Sequence, residues 1–193
     1  MPWETKFNIE ETLEKALNAF WKYGYNATSM RDLTKCMGIN AGSIYSTFGN
    51  KRELFLSSLE YYNKTSAKRL QKFKQMSSPK KGIISFFEHI RSVILDGSDT
   101  NGCFIINTSL EMAPHDKEMN DLVSEGQDIM RDFFKYLIKK GQVDGEMSKH
   151  LNAADTSELL LGLLSGLRVL TRTNPTKKQF NIVINNVKLI LDS

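Results

Sequence analysis

Residues 29–48, SMRDLTKCMGINAGSIYSTF, constrain the fold of this 193-residue chain more than any other stretch. They read as two short helices joined by a tight turn. Ser29 stands where it can cap the first helix, and Asp32 follows at the reciprocal spacing of a capping box. Met30, Leu33 and Met37 recur at helical spacing and give that helix one apolar face. Gly38 falls where a helix end often takes a left-handed residue. Asn40 is placed to cap the second helix, which sends Ile44 and Phe48 inward. Ala41, Gly42, Ser43, Tyr45, Ser46 and Thr47 then form a small, uncharged outer face.

A helix with such a face can lie close to something large and flat. In a helix-turn-helix the second helix enters the DNA major groove, with residues near its start facing base edges. Small side chains allow close approach, and hydroxyls can donate to phosphates or bases. An ordinary helical hairpin in a bundle shows the same spacing. Spacing alone leaves both readings open.

The flanking residues change the balance. The stretch from Gly24 to Phe55, GYNATSMRDLTKCMGINAGSIYSTFGNKRELF, resembles the DNA-binding domain of TetR-type (TetR/AcrR) transcriptional regulators. The matching residues are Gly24-Tyr25, Ala27-Thr28-Ser29, Gly38 at the turn, and Tyr45, Phe48, Lys51 and Leu54 in the Tyr-x-x-Phe-x-x-Lys-x-x-Leu pattern. The resemblance covers about residues 8–56. It implies an all-α chain of about nine helices. A three-helix DNA-binding domain at 1–58 would carry the helix-turn-helix at 29–48, and 59–193 would form a helical ligand-binding and dimerisation domain.

It also assigns roles. Tyr45 and Lys51 would touch the DNA backbone, and Ser29 matches a phosphate-contacting position at the start of the second helix. Lys51 has a physical argument as well. Asn50 and Glu53 repeat the capping-box spacing, so Lys51 sits in the first turn of a fourth helix, beside free backbone N–H groups. Arg31 has a charge in a suitable place, although a solvated helix residue would look the same. The expected DNA-binding set is Ser29, Arg31, Asn40, Ala41, Gly42, Ser43, Tyr45, Ser46, Thr47 and Lys51.

Charge is distributed in the same sense. The net charge is +4, but residues 1–75 hold 12 Lys/Arg against 7 Asp/Glu, and the remainder 14 against 15. A basic front and near-neutral rear place polyanion contact at the front, although a solvated basic face would look alike. The first 22 residues hold acidic side chains and no apolar signal core, and two cysteines make neither a disulfide framework nor a metal spacing. The expected location is the bacterial cytoplasm, at the nucleoid when bound. Trp3 and Lys6, in the short leading tail, either touch DNA or belong to a loose end.

The first helix is expected over 8–23, with Ile9, Leu13, Ala16, Leu17, Phe20 and Trp21 as a core stripe. The fourth begins at Lys51 and runs to about Phe73. Behind it the pattern stays helical. Segments begin at Ser78-Pro79, Cys103, Asp116, Asn152 and Thr176, with stops at Asp96-Gly97, Ala113-Pro114 and Gly141. Residues 159–170, LLLGLLSGLRVL, are strongly apolar yet too short to span a bilayer. Such a helix is buried core or a subunit interface. The resemblance implies the latter: residues 153–173 and 177–191 would pair with their copies. Leu160, Gly162, Leu163, Gly166, Leu167, Leu170, Phe180, Ile184 and Val187 are the expected contacts. A two-fold dimer would match a palindromic operator.

The middle helices would then enclose a ligand. Candidate lining residues are Phe86, Phe87, Ile90, Phe104, Asn107, Thr108, Glu111, Met112, Met130, Phe133 and Phe134, most of which would equally serve as core. Asn107, Thr108 and Glu111 stand out, because polar groups in an apolar helix must face solvent or find partners. The middle helices hold no charged cluster, so a small apolar or amphipathic effector is expected, with no cofactor and no metal. Cys103 follows Gly102 near a helix start, where a thiol can be activated. Some TetR-type regulators sense electrophiles or oxidants with a cysteine in a similar setting, while a buried apolar role is the plainer reading. Cys36, in the helix-turn-helix, reads as packing.

An enzyme is not indicated. His89, His115 and His150 are far apart, and no HExxH, GxSxG, Walker or GxGxxG pattern occurs. A DNA-packaging protein would bind without sequence preference. The expectation is a homodimeric transcriptional regulator, a repressor released from double-stranded operator DNA by a small molecule. The alternatives are a Cys103-based redox- or electrophile-sensing regulator of the same fold and, further off, a small helical enzyme whose site only tertiary structure would assemble.

Overall fold

The computed structural model describes residues 7–193, so the expectations for Trp3 and Lys6 lie outside the described residues. Helix α1 (Ile9–Tyr23) opens on Asn8, whose side chain accepts the Glu11 N–H at 3.2 Å. Helix α2 (Met30–Met37) has both halves of its capping box. The Asp32 N–H donates to Ser29 Oγ at 3.2 Å, and the Ser29 N–H donates to Asp32 Oδ2 at 3.0 Å. Gly38 ends it at φ 73° and ψ 21°, the left-handed conformation that costs glycine least. Helix α3 (Ala41–Phe48) starts at Asn40, whose Oδ1 accepts the Ser43 N–H at 2.8 Å.

Helix α4 (Lys51–Lys74) follows, capped by Asn50 Oδ1 on the N–H groups of Arg52 and Glu53. Helix α5 (Pro79–Leu95) is capped by Ser78 and has proline in its first turn, where a missing N–H costs nothing. Then come α6 (Phe104–Glu111), a 3-10 turn at Ala113–His115, α7 (Lys117–Val143), α8 (Ala153–Leu170) and α9 (Lys177–Asp192). No strand occurs among the described residues.

The chain divides into two compact units. The first comprises residues through Thr65 together with Asn107–Glu125; the second comprises Ser66–Ile106 and Gly126–Ser193. This differs from the expected boundary at residue 58. The division falls further along α4, and a segment from the middle of the chain joins the first unit. The reason is chemical: that segment supplies hydrogen-bond and ion-pair partners to the first unit, described below.

The first unit packs around Leu13, Ala16, Leu17, Phe20, Leu33, Met37, Ile44, Leu54, Phe55 and Leu59, all buried. Phe20 and Phe55 meet edge to face at 4.9 Å, and Trp21 meets Tyr62 the same way at 5.3 Å. Ile9, expected in the stripe, is 45% exposed at the first position of α1. Phe48 is half-buried rather than fully inward.

The second unit is built on Phe73, Ile83, Phe86, Phe87, Ile90, Phe133, Phe134, Leu137, Ile138, Leu160, Leu164, Leu167, Phe180, Ile184, Val187 and Leu191. A Cβ at Gly82 would stand 2.7 Å from the Phe73 carbonyl oxygen, so only glycine lets α5 begin that close to the end of α4. This core corrects part of the expected dimer contact. Leu160, Leu167, Phe180, Ile184 and Val187 are buried inside the protomer. The large outward apolar residues of α8 are Leu159, Val169 and Leu170, 49%, 48% and 64% exposed, with Gly162 and Gly166 exposed between Leu159 and Val169 and Leu163 half-buried. On α9 they are Ile182 and Leu189. Among the described residues, no helix is long and apolar enough to cross a membrane.

Candidate nucleic-acid interface

The outward face of α3 follows from how the helix begins. Asn40 fixes where the helix begins, and Gly38 turns the chain into it. Ile44 points to the core with no exposure. The helical repeat then turns Ala41, Gly42, Tyr45 and Ser46 to solvent, with Ser43 and Thr47 half-buried at the margins. No charged side chain occurs on α3. Tyr45 is 53% exposed, so its ring and hydroxyl are open to a partner. The Ser46 hydroxyl donates to the Ser43 carbonyl at 3.1 Å and still has lone pairs to offer.

Around this face several expected residues are already engaged. The Ser29 hydroxyl donates to Asp32 Oδ2 at 2.5 Å and accepts the Asp32 N–H, so it must release the carboxylate before it can donate elsewhere. Those bonds hold the Asp32 carboxyl below its usual range. Asn40 uses its carbonyl oxygen as the α3 cap. Arg31 is exposed on α2.

Lys51 occupies the first turn of α4, but its ammonium stands over the Tyr25 ring, 4.3 Å from the centroid. Partial burial pulls its pKa down, opposed by the nearby Glu111 carboxylate. The phenol of Tyr25 is pushed up, chiefly by burial. Cys36, expected as packing, is exposed; its thiol donates to the Leu33 carbonyl at 3.4 Å, and desolvation raises its pKa.

The sequence did not reveal how the middle of the chain holds this unit. Glu111, at the end of α6, accepts hydrogen bonds from the Tyr25 N–H at 3.3 Å, the Asn26 N–H at 3.0 Å and the Asn26 side-chain amide at 2.9 Å. Arg52 forks onto Asp116 and also reaches Glu118 at 2.9 Å. That guanidinium, then the Met119 N–H, hold the Asp116 carboxyl down at about 2. Asn63 donates to the Leu122 carbonyl at 2.9 Å. One signal was present: Glu111 is a carboxylate at a helix C-terminus, where the dipole disfavours it, so it needed a partner.

The expected ligand-lining residues are divided between the two units. Asn107, Thr108, Glu111 and Met112 belong to the first unit. Glu111 is committed to the α1–α2 turn, and Met112 Sδ lies 3.8 Å from the Asn26 amide. Phe86, Phe87, Ile90, Phe133 and Phe134 belong to the second unit's core, with the four rings packed at 5.2 to 5.8 Å. Met130 packs partly buried against that core, and Phe104 is buried. Cys103 is half-buried just before α6. No group of three or more His, Cys, Asp or Glu suited to a metal occurs among the described residues.

This architecture matches known proteins along nearly its whole length. Residues 13–57 fit the family model described as bacterial regulatory proteins, tetR family, and residues 79–186 fit the tetracyclin repressor-like C-terminal domain. The HTH-type transcriptional regulator YezE of Bacillus subtilis (strain 168) is 31% identical over 152 residues, covering 78% of this chain and 76% of the relative. The HTH-type transcriptional repressor ComR of Escherichia coli (strain K12) is 26% identical over 168 residues, covering 86% and 80%. The fold also superposes on the TetR family regulator CifR, a cysteine mutant solved with 26-bp operator DNA. There the TM-score is 0.81 at 20% identity, covering 96% of this chain and 98% of that one.

The chain therefore belongs to the tetR family of bacterial regulatory proteins. It is a DNA-binding transcriptional regulator, in a family of regulators rather than enzymes.

Proposed function

We propose that this protein is a homodimeric repressor of the bacterial cytoplasm that reads a palindromic operator through α3 and releases it on binding a small apolar or amphipathic molecule. The observation that carries the DNA-reading part is the exposed, uncharged face of Ala41, Gly42, Tyr45 and Ser46, set between two caps. A surface of small side chains and hydroxyls can approach base edges without desolvating a charge. Lys51 lies beside it and can pass from the Tyr25 ring to a phosphate at modest cost.

Dimerisation is supported by the outer face of α8, where Gly162 and Gly166 have nothing within 4 Å of where a Cβ would stand. Glycines one turn apart, between exposed leucines, let a second helix approach closely. A two-fold dimer presents two α3 helices to two half-sites one helical turn apart.

Effector binding is supported by Asn63. It is 2% exposed, and its Oδ1 takes no hydrogen bond among the described residues. A buried acceptor left without a donor is costly, and a ligand hydroxyl or amine would satisfy it. Helix α4 carries Asn63 and Lys51 on one rigid element. An occupant that favours one setting of α4 would shift the population of DNA-competent protein.

The test is binding of the purified protein to the DNA flanking its own gene, across a salt series, against unrelated DNA. Tight, site-selective binding that weakens steeply with salt is expected. Equal, weak binding to both DNAs would overturn the reading.

A second reading uses Cys103 as a sensing thiol. Its support is position: half-buried, directly before α6, and next to Gly102, where an added Cβ would stand 3.3 Å from the Arg172 side chain. Alkylation should then release the protein from DNA, and Cys103→Ser should abolish that release.

A further inference from the structure

The helix-turn-helix unit is not closed by its own helices. We infer that the end of α6 and the start of α7 form a two-point latch that sets the DNA-reading helices, with Glu111 and Asp116 as its working residues. The inference rests on the DNA-reading role of α3 and adds the residues that position it.

Glu111 holds the turn between α1 and α2. Its two carboxylate oxygens take the backbone N–H groups of Tyr25 and Asn26 and the Asn26 amide. That turn contains Gly24 at φ 83°, and a Cβ there would stand 3.1 Å from Glu111 Oε2, so the carboxylate is seated tightly against the backbone. Its backbone donors lie four and three residues before Ser29, the cap of α2. The ring of Tyr25 carries the Lys51 ammonium on its face and packs edge-on against Phe55 at 5.0 Å. A shift of Glu111 therefore reaches both the entry to α2 and the lysine beside α3.

Asp116 holds the other side. Its carboxylate receives Arg52 in the first turn of α4, next to Lys51. It also caps α7, accepting the Glu118 and Met119 N–H groups at 3.1 Å each. One side chain thus ties the start of α7 to the start of α4. Both latch helices continue outside this unit: α6 begins at Phe104 and α7 ends at Val143, each beyond the segment Asn107–Glu125.

The variants Glu111→Ala, Glu111→Gln and Asp116→Asn separate this role from general stability. Gln keeps one acceptor oxygen for the turn. Asn caps a helix as well as Asp does, so Asp116→Asn removes the charge opposite Arg52 and leaves α7 capped. In the full-length protein, Glu111→Ala is expected to speed amide hydrogen exchange at Tyr25 and Asn26 by roughly tenfold or more, with α5 and α9 unchanged. Binding to DNA flanking the gene should fall about three- to tenfold for Glu111→Ala and Asp116→Asn, and less for Glu111→Gln. The salt slope should stay that of the parent, because no phosphate contact is lost.

Parent-like exchange at Tyr25 and Asn26 in Glu111→Ala overturns the latch, and so does parent-like operator affinity in both Glu111→Ala and Asp116→Asn. If the parent selects no DNA, the DNA-reading role fails on its own account, and the exchange rates still decide whether Glu111 holds the turn.

Discussion

Arg52 grips Asp116 through two parallel hydrogen bonds, Nε to Oδ2 at 2.6 Å and Nη2 to Oδ1 at 2.9 Å, across 64 positions of sequence. Such a fork fixes orientation as well as distance, since a planar guanidinium meets a planar carboxylate in one geometry. It also raises the already high pKa of Arg52 and lowers that of Asp116.

The pair gives stability a defined pH dependence. The Asp116 carboxyl titrates at about 2, below its ordinary unfolded value of roughly 3.9. A depressed carboxyl pKa contributes stability that is present above the unfolded value and lost as pH falls through the folded one. The parent should melt higher than Asp116→Asn from about pH 5 to 7, with the two curves converging between about pH 4 and pH 2. Melting temperature against pH for both proteins checks this. A gap of constant size down to about pH 2 would assign the difference to shape rather than charge.

Tyr45→Ala should leave folding intact, because the ring is 53% exposed, and should weaken binding to every DNA sequence alike. Lys51→Ala should do the same and make the salt slope shallower by about one. It should also lower stability by about 0.5–1 kcal/mol, through loss of the Tyr25 contact. Titrations at three salt concentrations, with a melting curve for each variant, separate the two effects.

Gly38→Ala isolates a backbone cost. A Cβ there meets nothing within 4 Å, so sterics with neighbours play no part. The remaining penalty is the left-handed conformation, about 1–2 kcal/mol for a residue with a Cβ. Urea unfolding should show a loss of that size, and DNA affinity should fall with it. A variant as stable as the parent would mean that the turn adopts another conformation.

Gly162→Phe tests the proposed dimer face. The position is open within the protomer, and a non-glycine residue favours helix by up to about 1 kcal/mol. The protomer should stay folded, while its self-association weakens at least about tenfold. Sedimentation or light scattering over a dilution series reads this directly. An unchanged dimer would place the interface on another face.

The local features of the fold were legible because their partners lie within four residues. Ser29 with Asp32, Asn40 with Ser43 and Thr176 with Gln179 each make the cap that the spacing suggests. The outer face of α3 was legible for a related reason: Ile44 alone is buried there, and a single inward residue fixes the orientation of a two-turn helix. The same logic fails for α8. Leucines surround it on nearly every side, so no periodicity distinguishes Leu160 in the core from Leu159 at the surface.

By itself, then, the sequence determined where helices begin and end, which glycine turns the chain between α2 and α3, and which face α3 leaves outward. These depend on dihedral preferences and short-range hydrogen bonds that a few neighbouring residues settle. Only the tertiary structure decided that Glu111 serves the α1–α2 turn, 85 positions away at Asn26. It alone brought Arg52 to Asp116 and sorted the leucines of α8 into inside and outside. A buried or half-buried polar group must find a partner, but which one is set by how distant helices dock, and no spacing along the chain encodes that distance.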